Sequence, residues 1–95
     1  MNVVKFKVKQ EYMQEYMQKA YQHKPFDGMI NEYYVQVGDN EFIAVGLWQS
    51  EQKMIEARPA MIAFLDTIRH TLEELSPELG VTDPSSGPVM FESSN

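Results

Sequence analysis

The sequence predicts an α+β domain with the element order βαββαβ. Two observations carry the prediction. Apolar residues alternate at period two in some segments and recur at three and four in others, and the two kinds follow one another as strand, helix, strand, strand, helix, strand. The two middle strands are separated by a short run of turn-forming residues, as in a hairpin. At 95 residues the chain makes a single domain, 1–95.

Residues 3–9 place Val4, Phe6 and Val8 on one face and Lys5, Lys7 and Lys9 on the other, the alternation of a strand. Over residues 11–24 the period changes. Tyr12, Met13, Tyr16, Met17, Ala20 and Tyr21 share a helical face opposite Gln14, Glu15, Gln18 and Lys19. Pro25 ends this helix at Lys24, because the residue before a proline avoids the α region. Asp27 and Gly28 turn the chain. Residues 29–37 are rich in β-branched and aromatic types and read as a second strand. Residues 38–41 form the hairpin turn, and residues 42–48 form a third strand, apolar on both faces and so covered on both. Ser50 suits an N-cap, with Glu51 in the first turn where the helix dipole favours an anion, and a short helix runs to Ala57. Pro59 suits the first turn of the next helix. Its stripe of Met61, Leu65, Ile68, Leu72 and Leu75 steps by four and three until Ser76, Pro77 and Gly80 end it. Residues 83–88 read as a loop, residues 89–91 as a short last strand and residues 93–95 as a flexible tail. The Pro and Gly content of residues 76–88 allows that segment either to close a site or to embrace a second copy.

This order is the split βαβ, ferredoxin-like arrangement, in which helices cover one face of the sheet. The other face must meet water or another sheet. Ile43, Val45 and Leu47 share one face of the third strand, too many apolar groups to face water, so a homodimer pairing through its sheet faces is expected. Size points the same way. A core this small usually needs reinforcement, and without cysteine no disulfide supplies it. Two histidines and no cysteine make no metal cluster, so none is expected. A net charge of −6, from 8 basic and 14 acidic residues, argues against nucleic acid, which needs a basic face. No apolar run approaches the roughly 20 residues of a membrane span. The first residues alternate like a strand and not like a cleavable leader, which gives the expectation of a cytoplasmic protein with no membrane association.

The second face of the third strand holds Phe42, Ala44, Gly46 and Trp48. Small residues inside a strand mark a close approach or a space for a ligand. With the turn centred on Asp39 and Asn40, Asn31 and Tyr33 join Trp48 on that face; a one-residue slip replaces them by Glu32 and Tyr34. The helical stripes add Met13, Tyr16, Met17, Met61 and Leu65 around Ala44 and Gly46, an apolar pocket with few polar groups. The alternative is plain packing, with the Tyr33 ring covering a bare Gly46. Glu32 is either an exposed edge residue or, if desolvated, a general base. His23 and His70 sit at or in helices with no third ligand in view. Lys5, Lys7 and Lys9 read as protection of a strand edge before an anion site. No glycine-rich phosphate loop and no nucleophile elbow occurs.

Two segments resemble the antibiotic biosynthesis monooxygenase-like family of dimeric α/β barrels. One is the turn Pro25, Phe26, Asp27, Gly28. The other is the strand Phe42, Ile43, Ala44, Val45, Gly46, Leu47, Trp48 running through Gln49 into Ser50 and Glu51. The resemblance implies a dimeric α/β barrel. It also implies, as in some members, cofactor-independent oxidation of a small aromatic phenol or quinol by O₂. On that reading Trp48 holds the substrate oxygen, Tyr33 and Asn31 orient it, and Arg69 stabilises the anion. Haem-degrading relatives pair the strand Trp with a His in the following segment; residues 50–64 hold none, so haem is not implied. Two other readings stay open on the same fold: a non-catalytic module that binds a small apolar ligand, and a proton-transfer isomerase with Glu32 as base.

Overall fold

The computed structural model describes residues 1–95. Its elements are β1 (Asn2–Lys7), a 3-10 turn (Gln10–Tyr12) leading into α1 (Met13–Gln22), β2 (Met29–Gln36), β3 (Glu41–Trp48), α2 (Glu51–Glu56), α3 (Arg58–Ile68) with a 3-10 turn (Arg69–Thr71) at its end, and β4 (Asp83–Ser86). The four strands form one antiparallel sheet in the order β2-β3-β1-β4. This is the ferredoxin-like α+β arrangement.

The core forms where the alternation of the strands meets the helical stripes. Phe6 and Val8 at the β1 end and Phe42 of β3 pack with Tyr16 of α1, Ile68 of α3 and Leu72. A smaller cluster joins Trp48, Met54 and Ala57, flanked by Phe26, Met29 and Met61. Ser50 caps α2 as expected: its Oγ accepts from the Lys53 N–H at 3.1 Å. Pro59 lies in the first turn of α3, where a missing N–H costs nothing.

Three expectations are corrected. The hairpin loop holds three residues, Gly38 to Asn40, and not four, because Val37 N–H donates to the Glu41 carbonyl at 2.9 Å and β3 starts at Glu41. Asn40 is anchored from the other side: its Nδ2 donates to the Val8 carbonyl at 3.1 Å and to Glu73 Oε2 at 2.8 Å. The long second helix stops at Ile68. Beyond it the backbone leaves the helix to pair with the continuation of β1, with Lys9 N–H on the Thr71 carbonyl at 2.7 Å and Glu73 N–H on the Lys7 carbonyl at 2.9 Å. Leu72 stays in the core from this bridge, which is why its helical spacing misled. The last strand is Asp83–Ser86, not residues 89–91. The outer edge of β1 needs backbone partners, and Pro84, without an N–H, is tolerated because β4 is itself an edge. Val89, Met90 and Phe91 are exposed and outside the sheet.

Candidate active site

Register places the site. Across the sheet from β2 to β4, Glu32 faces Gly46, Gly46 faces Asn2 and Asn2 faces Ser86. The next row is Tyr34, Ala44, Val4 and Pro84. Opposed residues share a face, and both rows lie on the face of Phe6 and Phe42, under the helices. Gly46 and Ala44 lack bulk in the middle of these rows. Both line a cavity of about 530 Å³ under the helices, bounded mostly by apolar groups from the sheet, α3 and Tyr16 of α1. That volume lies within the roughly 300–1,000 Å³ of small-molecule sites.

Polar groups enter this apolar space at a few points. Trp48 is buried, and its indole N–H donates to Asn2 Oδ1 at 2.8 Å, directly over Gly46. A Cβ on Gly46 would stand 2.4 Å from that same Oδ1, so glycine is what lets the Asn2–Trp48 bond cross the strand. Asn2 thereby turns its amide group, whose oxygen Trp48 occupies, along the cavity wall. A β-bulge between Met29 and Asn31 lets Met29 pair with Trp48.

The second polar group is Glu32 with His23. The chain leaves α1 at His23 with extended backbone, as Pro25 requires nearby, and the imidazole turns inward between Phe26 and Phe64, with ring centroids 4.6 and 4.4 Å away. Its Nε2 lies 3.0 Å from Glu32 Oε1, with only 5% of the His23 side chain and 18% of the Glu32 side chain exposed. The contact has ion-pair distance without hydrogen-bond alignment. Burial pushes the Glu32 carboxyl above the ordinary glutamate range, and the nearby imidazole offsets part of that rise. Burial also pushes the Tyr34 and Tyr16 phenols up, helped by the Glu32 charge. Tyr16 lines the cavity, and its Oη is buried without a hydrogen-bond partner in the protein.

The expected site residues divide. Ala44, Gly46, Tyr16, Met61 and Leu65 line the cavity. Met13 and Met17 pack against the main core beside it. Trp48 does not touch the open space and reaches it through Asn2. Asn31 and Tyr33 point to the opposite face, since the three-residue loop sets the alternative register and brings Glu32 and Tyr34 inward. Arg69 is exposed and bonded to Asp66 Oδ1 at 3.0 Å, away from the cavity. Asn2 and His23 were missed. Asn2 continues the Val4, Phe6, Val8 alternation by one step, a signal present in the sequence. His23 turns inward only because the helix ends one residue before it, which no periodicity shows. No three His, Asp or Glu side chains converge as a metal site.

The chain has the α+β fold of the antibiotic biosynthesis monooxygenase-like proteins. It superposes on several solved structures of this fold. A candidate antibiotic biosynthesis monooxygenase from Nitrosomonas europaea superposes with a TM-score of 0.71 at 11% identity, covering 95% of this chain and 97% of that one. A variant of SnoaB, a cofactor-independent oxygenase from Streptomyces nogalater, gives 0.67 at 13% identity over 96% and 92% of the two chains. The ActVA-Orf6 monooxygenase of Streptomyces coelicolor, solved with nanaomycin D, gives 0.60 at 16% identity over 98% and 90%. No protein-family model and no curated protein matches the sequence.

Proposed function

We propose that this chain is a cofactor-independent monooxygenase that binds a small aromatic phenol or quinol in the cavity and passes it to O₂. The observation that carries the reading is the Glu32–His23 pair, a carboxyl with a raised pKa at the wall of an otherwise apolar cavity. A base of that kind is suited to removing a phenolic proton near neutral pH. The phenolate so formed is electron-rich enough to reduce O₂ directly. One-electron transfer gives superoxide and an aryloxyl radical, which recombine as a C–O bond. Loss of the ring C–H proton and cleavage of the O–O bond then leave one oxygen on the ring as a quinone carbonyl and release the other as water. Asn2 is the group that would hold the substrate oxygen, and Trp48 is the positioning residue that fixes the Asn2 amide. The like-folded oxygenases support the chemistry as analogy.

The active form is a homodimer paired through the sheet faces away from the helices. That face carries Ile43, Val45 and Leu47 beside Tyr33, Val35 and Val37, the last three about half exposed in the single chain. A contiguous apolar surface of this kind marks an interaction site. No helix is long and apolar enough to cross a membrane.

The test is oxygen uptake with a panel of hydroquinones and polyphenols. Uptake above the spontaneous rate that falls at least about a hundredfold in Glu32→Gln supports the reading. The Trp48→Ala variant should lose uptake too, by freeing Asn2. Ligand binding without uptake across the panel would leave a non-catalytic binding module on the same fold.

A further inference from the structure

Arg58, the first residue of α3, is the only cationic side chain lining the cavity. Nothing in the protein accounts for it there. Lys7, Lys19, Lys53 and Arg69 each face a carboxylate, of Glu41, Glu15, Asp27 and Asp66; Arg58, like Lys5, Lys9 and Lys24, faces none, and of these four it alone lines the cavity. Nor does it serve its helix, because a cation in the first turn opposes the helix dipole and no acidic residue of that turn offsets it. It is exposed, as are Ile62 and Ser86, which also line the cavity, so this part of the lining is the mouth. The rest of the molecule discourages anions. Its net charge is −6, and Glu32 stands inside the cavity. A neutral phenol would enter such a site without help; an anionic one would need a local cation at the entrance.

We propose that the ligand carries an anionic substituent, a carboxylate or sulfonate, which the Arg58 guanidinium receives at the mouth while the aromatic body lies over Ala44 and beside the Asn2 amide. The inference rests on the reading of the cavity as an aromatic site and adds the substrate class. Guanidinium geometry suits a carboxylate or sulfonate by paired N–H donors, which Lys does not reproduce.

The experiment is calorimetric titration of a hydroxynaphthoate, its methyl ester and naphthol into the wild-type protein, Arg58→Gln and Arg58→Lys. The wild type is expected to bind the acid about tenfold more tightly than the ester, with the preference shrinking as salt is raised. Arg58→Gln should lose the preference while its affinity for ester and naphthol stays unchanged, which also reports that it is folded. Arg58→Lys should keep part of it. A wild type that binds acid, ester and naphthol alike overturns the inference and leaves the aromatic site standing, and so does Arg58→Gln with the full acid preference. A wild type that binds none of the three overturns both.

Discussion

A methyl group at Gly46 and the loss of the amide at Asn2 attack the same hydrogen bond from two sides. Gly46→Ala forces Asn2 Oδ1 to move from 2.4 Å, and Asn2→Ala leaves a buried indole N–H without its acceptor. Each should cost about 1–3 kcal/mol in denaturant unfolding, and Trp48, the only tryptophan, should report the change by its emission. Glu32 makes a different prediction, about pH. Between the ordinary value of 4.5 and its raised value in the folded chain, the native state keeps a proton that the unfolded chain has released. Stability therefore falls as pH rises through that window, while the fraction of Glu32 able to act as base rises. Oxygen uptake against pH should show an acid limb above the usual carboxylate range. Unfolding free energy against pH should run the opposite way there, and Glu32→Gln should flatten this contribution to the stability profile. Of these residues, Gly46 and Trp48 were legible from composition and alternation alone. Glu32 was legible only as one of two registers, because a period of two says which residues share a face but not which face is inside.

The same distinction explains what was and was not readable in the elements. Strand β1 and helix α1 announce themselves because one face of each is apolar at its own period, β2 by its β-branched and aromatic content, and β3 by being apolar on both faces. The end of α3 does not, since Leu72 is buried by a backbone bridge to Val8 that happens to continue the helical spacing. Strand β4 has no apolar face at all: Asp83, Pro84, Ser85 and Ser86 are recruited by the unpaired edge of β1, a demand written in another part of the chain. Conversely, residues 89–91 look like a strand but lie exposed outside the sheet. Local signals govern α2, where Ser50→Ala should cost about 1 kcal/mol in thermal or denaturant unfolding through loss of the bond to Lys53 N–H. Because α2 supplies Met54 to the cluster around Trp48, that variant should also loosen the cavity wall, seen as faster amide hydrogen exchange in residues 51–57.

For the whole molecule, the division of labour between the two sheet faces is the main consequence. The helix side carries the small-residue hollow and the buried carboxyl; the other side carries the aliphatic surface assigned here to pairing. Val35 is 44% exposed and remote in direction from the cavity, so Val35→Asp should leave the monomer folded. Burying an unpaired carboxylate at a sheet-to-sheet contact is costly, so under the proposed pairing the parent should sediment as a dimer and the variant, at the same concentration, as a monomer. A variant that sediments like the parent would move the pairing surface elsewhere.

The hairpin loop from Gly38 to Asn40 has a consequence for descent and for engineering. Its residue count works as a parity bit. One residue inserted there, with β3 held in place and the loop kept at three, would invert β2 and exchange Glu32 and Tyr34 for Tyr33 and Val35, and one deleted would exchange them for Asn31 and Tyr33. Two residues would restore the facing and slide the base along the sheet by one row. Lineages that keep this chemistry should therefore tolerate changes of letter in the loop far better than changes of length, and a library of loop lengths is the most economical way to separate the two faces' functions.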